Sequence, residues 1–247
     1  MKPWPAISRY GKNGCADFNL FRIFIIMQKQ KNYQQTFALA ADKFRNADIS
    51  YLDTHPEINY NKQNGTIALS FFQRPYTISY PELAFSCPQE PVISLVSKII
   101  ILHYLINATH SSRTGQLTNY GGIPGGSFYF PVFKRKTTDI LLTKLGNNGE
   151  EFKQAGEALG ATTSSLGDVS FTIRALPDID LTLIFWEGDE DFPSAYDILF
   201  DAAIDRYLSL EDIVVLAQMV TKRVLSRTMT GSNTIERKET EPDQDAE

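Results

Sequence analysis

Residues 92–108, VISLVSKIIILHYLINA, narrow the possible folds more than any other stretch. The run is shorter than the roughly 20 apolar residues that cross a bilayer as a helix. It is longer than a usual buried strand of about 4–8 residues. Its β-branched content permits a strand, but its length favours a helix packed in the interior. The hydrophobic share of 43%, with 16 Phe and 11 Tyr, is ample for a core around it. A domain of this size buries about 70% of its unfolded-chain surface and needs no cross-links.

The neighbouring segments alternate between the two regular periods. From Gln28 to Asn46, Tyr33, Phe37, Ala40, Ala41 and Phe44 recur at helical spacing. TIALSFF (66–72) and PYTISY (75–80) read as a hairpin turning at Gln73-Arg74. Residues 81–91 carry three prolines and read as irregular. SFYFPVF (127–133) is expected to be extended and cut by Pro131, with two short helices near 137–145 and 149–159. VSFTIRAL (169–176) and LTLIFW (181–186) read as strands joined by a turn at Pro177-Asp178. A last helix starts after Ser209, with Glu211 and Asp212 at its positive end and Lys222, Arg223 and Arg227 near its close. The expectation is one α+β domain over 28–227, a single mixed domain with a largely antiparallel sheet packed by helices.

The two ends are set apart. Residues 228–247 hold six acids and two bases with almost nothing apolar, and read as a disordered acidic tail. The remaining 23 acids and 22 bases nearly balance, so no nucleic-acid footprint is expected. FNLFRIFIIM (18–27) is interrupted by Arg22 and has no small-residue cleavage site, so neither a signal peptide nor a membrane span is expected. The helical pattern that starts after Met27 leaves Met1 and Met27 as alternative starts, with residues 1–27 as an N-terminal extension. Cys15 and Cys87 form no redox or zinc spacing, which fits a reducing cytoplasm.

Three motifs carry possible chemistry. In GGIPGGSFYFP (121–131), Gly121, Gly122, Gly125 and Gly126 let backbone approach a ligand, Phe128 and Tyr129 offer rings to stack, and Lys134-Arg135-Lys136 follow to hold an anion. The loop lacks both nucleotide-loop glycine patterns, and the plainer reading is a tight turn with core aromatics. His103 shares a helix face with Asn107 and His110, but seven residues separate the imidazoles by about 10 Å; the plainer reading is a hydrogen-bonded core His103. No metal site is expected from three histidines. In WEGDEDFP (186–193), Glu187, Asp189, Glu190 and Asp191 offer oxygen ligands or an acid–base carboxylate. The plainer reading is a solvated loop anchored in the core by Trp186 and Phe192.

Three phrases in order, ILHYL (101–105), PGGSFYFP (124–131) and WEGDEDFP followed by LFD (199–201), resemble a prokaryotic domain family of unknown function, found largely in anaerobic bacteria and archaea. The resemblance spans about residues 32–227 and covers His103, Gly125, Gly126, Phe128, Tyr129, Pro131, Trp186, Asp189, Phe192, Pro193 and Asp201. Some members are fused to a cysteine-rich iron–sulfur segment, which implies anaerobic redox or corrinoid-linked one-carbon metabolism. A cluster needs four thiolates. Cys15 alone cannot hold one, so the resemblance implies an iron–sulfur or corrinoid protein as partner. The cofactor, if any, is left unassigned.

Two function classes follow, and a third is kept. The leading one is a ligand- or partner-binding domain whose site joins Gly121, Gly122, Gly125, Gly126, Phe128, Tyr129 and His103 to Glu187, Asp189 and Asp191. The alternative is an enzyme using an acidic-loop carboxylate as acid or base with magnesium. A structural subunit would instead show a large exposed apolar patch.

Overall fold

The protein is described by a computed structural model covering residues 14–108 and 113–235, with side chains at 28, 30–108 and 113–228. The expectations for residues 1–27, and those for Cys15 and His110, fall outside the described side chains. The first helix is α1 (Gly14–Arg45). The interior segment folds as helix α2 (Leu95–Asn107). Ser94 starts α2, its Oγ accepting the Ser97 amide at 3.0 Å. Ile100, Ile101, Leu102, Tyr104 and Leu105 are all buried, so α2 is covered on most of its circumference. One flank lies against α1, which buries Ala40, Ala41 and Phe44 at the spacing read from sequence.

Two antiparallel sheets, rather than one, flank these helices. The first is a meander of β1 (Asn59–Asn61), β2 (Thr66–Phe71), β3 (Arg74–Ser79) and β4 (Ala84–Ser86), the last lying inside the stretch expected to be irregular. The expected hairpin forms, but its turn is Phe72-Gln73, and Phe71 pairs with Arg74. Both turn residues are left-handed, with φ of 48° and 61°. That hand suits the twist of a two-residue hairpin, yet side chains other than Gly, Asn or Asp rarely adopt it. Tertiary contacts hold it: the Phe72 amide donates to Ala175 O at 2.8 Å. The Gln73 side-chain amide donates to Gly160 O at 3.1 Å.

The glycine-rich region opens with β5 (Leu117–Asn119). It continues into three short helices, α3 (Phe130–Lys136), α4 (Thr138–Leu145) and α5 (Gly149–Ala158). The segment 127–133 is therefore not extended: Pro131 occupies the first turn of α3. Its missing N–H costs nothing there, and its fixed φ favours helix entry. The other strands are β6 (Thr162–Thr163), β7 (Val169–Leu176), β8 (Ile179–Trp186) and β9 (Ala195–Asp201). They form a second sheet in the order β5-β9-β8-β7-β6.

This second sheet has two different faces. On the inner one, Phe171, Leu183 and Ile198 pair across three strands, as do Val169, Phe185 and Tyr196. Helix α5 lies on them, with the Phe152 ring 4.6 Å from Phe171 at a tilt of 39° and edge-on 5.2 Å from Tyr196. Gly156 permits that approach, because a Cβ there would stand 2.5 Å from the Phe171 ring. Helix α6 (Leu210–Ile235) packs over α4 and α5. It buries Ile213, Leu216, Ala217, Val220 and Val224 at helical spacing. The outer row carries polar pairs instead. Thr172 and Thr182 share a hydroxyl bond of 2.8 Å, and Arg174 bridges Asp180 at 3.1 Å and Glu57 at 2.9 Å.

Helix α6 runs past Arg227 into the segment read as tail. Its N-terminus is as expected: Ser209 Oγ accepts the Asp212 amide at 3.2 Å. Among the described residues no helix is long and apolar enough to cross a membrane.

Candidate functional site

The acidic loop builds itself from its own polar groups. Asp189 Oδ1 accepts the amides of Asp191 at 2.9 Å and Phe192 at 2.7 Å, and the Asp189 amide donates to Phe192 O at 2.9 Å. This is an Asx turn closed on itself. From outside, Asp168 Oδ2 takes the Glu187 amide at 2.7 Å. Asn147 brackets Gly188, accepting its amide at 2.7 Å and donating to its carbonyl at 3.2 Å. Glu187, Glu190 and Asp191 are exposed. Among the described residues, no three His, Cys, Asp or Glu side chains are grouped to hold a metal ion.

Trp186 and Phe192 do not anchor this loop. Phe192 is 71% exposed and Trp186 39%, neither in the core, while Asp168, Asn147 and Asp189 do the anchoring. Trp186 is the last residue of β8, one step beyond the buried Thr182 and Ile184 of the same row, where the cover of the sheet ends.

The glycine loop is also internally committed. Asn119 Oδ1 accepts the Gly122 amide at 3.2 Å, and Ile123 O accepts the Gly126 amide at 2.8 Å. Two of the four glycine N–H groups are thus used within the loop rather than offered to an anion. Gly125 has φ of 79°, and a Cβ on Gly126 would overlap Tyr120 O. Tyr120 stacks on Phe133 at 4.6 Å, fixing the loop to α3. Phe128 is left 93% exposed. Tyr129 is half-exposed, with its hydroxyl accepting from Lys136 Nζ at 2.9 Å.

The expected site divides. His103 Nδ1 lies 2.9 Å from Asp212 Oδ2, in the first turn of α6, and the same oxygen accepts from Ser209 Oγ at 2.8 Å. Asn107 Nδ2 donates to His103 O at 3.0 Å and to Tyr207 O at 2.9 Å. The glycine loop meets the same turn: the Tyr120 hydroxyl reaches Leu210 O at 3.4 Å. A Cβ on Gly125 would lie 3.3 Å from the Leu210 side chain. His103 and Gly121, Gly122, Gly125 and Gly126 therefore gather at the start of α6. Glu187, Asp189 and Asp191 belong to the far end of β9. The register places Asn119 opposite Leu199 and Trp186 opposite Ala195. Four residues of strand, about 13 Å, separate those two pairings. No hydrogen bond or ring contact among the described residues joins the two loops.

Between them lies a group that sequence reading passed over. Asp197, half-buried on the outer row of β9, has its carboxyl held above the usual range by burial. The Ile198 amide, the Asn119 side chain and the Lys134 charge oppose that rise. The signal was present in AYDILFD, where Tyr196, Ile198 and Phe200 alternate with Asp197, Leu199 and Asp201. A second missed cluster is structural. Asp178 Oδ2 accepts from the Tyr104 hydroxyl at 2.6 Å and lies 2.9 Å from His55 Nε2, tying α2 to the β7–β8 turn.

A family profile described as "Domain of unknown function (DUF3786)" matches residues 49–223. No curated protein and no solved structure matches the chain.

Proposed function

The chain belongs to the DUF3786 family, and from that premise we propose that it is a binding domain that receives a protein partner at the edge formed by β9, the glycine loop and the acidic loop. One observation carries the reading. Phe128 and Phe192 are 93% and 71% exposed on turns closed by Asn119 and Asp189, and Trp186, at the end of β8, is 39% exposed. Exposed rings on rigid turns lose little entropy when they dock, and aromatic residues supply much of the binding energy at interfaces. The half-buried Asp197 and its neighbour Asn119 give the same edge a polar centre. The resemblance points to an iron–sulfur or corrinoid protein of a cytoplasmic anaerobic pathway as the partner class.

The enzyme alternative finds less support. It needs one of Glu187, Asp189, Glu190 or Asp191 to be partly buried, and all four are exposed. Asp189 is in addition engaged by two amides of its own loop.

The test is anaerobic purification from the host with a photo-crosslinking residue at position 128 or 192. A stoichiometric partner should crosslink at both positions and be lost from a Phe128→Ala, Phe192→Ala variant of unchanged Tm. Retention of the partner by that variant would overturn the proposal.

A further inference from the structure

The tip of the β2–β3 hairpin, the end of α5 and the middle of α6 enclose a cleft of about 410 Å³. That is within the usual size of small-ligand pockets, about 300–1,000 Å³. Four cations line it, Arg74, Lys222, Arg223 and Arg227, and no carboxylate does. Glu90 stands behind Arg74, its Oε2 accepting from the Tyr76 hydroxyl at 2.5 Å and lying 3.5 Å from Arg74 Nη1. One acid against four bases leaves the cleft strongly positive.

Arg223 is its centre. The guanidinium carbon sits 4.1 Å from the centroid of the Phe72 ring, so one flat face is stacked and the N–H edges remain for a ligand. Among the described residues no carboxylate lies within ion-pair distance of it. Burial, and then the neighbouring Arg74 charge, hold its pKa below the ordinary value. A half-buried cation beside a like charge is unfavourable until an anion joins it.

Two plainer explanations fall short. Bases in the last turn of a helix would complement its dipole, but α6 continues to Ile235, about two turns beyond Arg227. A solvated charge face would be free to move, whereas the hairpin wall is pinned by the Phe72–Ala175 and Gln73–Gly160 bonds.

We propose that this cleft binds a small phosphate-bearing molecule, with Arg74 and Arg223 taking phosphoryl oxygens and Lys222 and Arg227 closing the mouth. Three arginines favour an oxyanion, because the guanidinium fork matches its paired oxygens. A dianionic phosphate also balances this charge better than a single carboxylate. A nucleic-acid backbone fits less well, since it needs an extended basic track and residues 1–227 outside these four cations are net acidic. The site is independent of the partner edge: Lys222 lies about 18 Å along α6 from Leu210.

Calorimetry and thermal unfolding of the full chain with inorganic pyrophosphate test the assignment, with succinate and sodium chloride at matched ionic strength as comparators. Pyrophosphate should raise Tm by several degrees, more than either comparator. Arg223→Gln should weaken its affinity at least tenfold. Arg227→Gln, at an exposed position, should weaken it severalfold with the Tm of the free protein unchanged, which keeps the test valid if Arg223→Gln does not fold. An equal shift from succinate or sodium chloride, or pyrophosphate affinity unchanged in the folded variants, would overturn the site. Tighter binding of a single-stranded oligonucleotide than of pyrophosphate would also overturn it.

Discussion

The acidic loop and the basic cleft carry their charges to opposite ends. In WEGDEDFP four carboxylates fall within the five residues 187–191, yet Asp189 folds the turn and the other three face water. In the cleft Arg74 joins three bases almost 150 residues away, and the fold concentrates them around a half-buried guanidinium. Charge that is dense along the chain is readily solvated. Charge gathered by tertiary structure is confined, and confinement makes it able to recognise a ligand.

The comparison is most strongly challenged at the cleft wall. Gly156→Val should destabilise the domain by about 1–3 kcal/mol through overpacking against Phe171, since even a Cβ stands 2.5 Å from that ring. Chemical denaturation would read this, and pyrophosphate affinity should fall with it because α5 forms one side of the cleft. In the acidic loop, Asp189→Ala should cost about 1–2 kcal/mol, as two amides lose their acceptor. An effect as small as that of its neighbours would contradict the Asx-turn role.

Asp197 gives a smaller effect of the opposite sign. Its folded pKa is raised, so the folded state binds its proton more tightly than the unfolded chain does. Stability from this group is therefore full below the ordinary carboxylate value and is lost as pH rises through the raised one. Asp197→Asn should raise Tm at neutral pH, and the gain should vanish in acid below about pH 4, the ordinary carboxylate range. Thermal unfolding across pH checks both halves. The smallest effect belongs to Glu190→Gln with Asp191→Asn, which should shift stability by less than about 0.5 kcal/mol. Added calcium or magnesium should not change that result.

Much of the architecture was legible where one period dominated. The interior helix α2, the β2–β3 and β7–β8 pairs and the paired helices α4 and α5 follow from apolar spacing and glycine or proline stops. The misses have local causes. Pro131 reads as a break in an extended run, although Pro is equally at home in the first turn of a helix. Trp186 reads as an anchor of its loop in the core, but it ends β8 and is 39% exposed. Both loops abut segments read as strands ending in aromatics, which suggests that they adjoin, whereas β9 register sets them apart. Arg223 looked like a helix-end base, and nothing local announced that a left-handed Phe72 would stack on it. Tertiary pairing, not composition, decides that contact.

The most direct measurement is nuclear magnetic resonance of the full chain, following arginine side-chain and backbone N–H signals during separate additions of pyrophosphate and magnesium. The account predicts that pyrophosphate shifts the Arg74 and Arg223 guanidinium signals and the Gln73 amide, while residues 187–192 stay unchanged with either addition. Magnesium-induced shifts in 187–192, with the arginine signals unmoved by pyrophosphate, would contradict it.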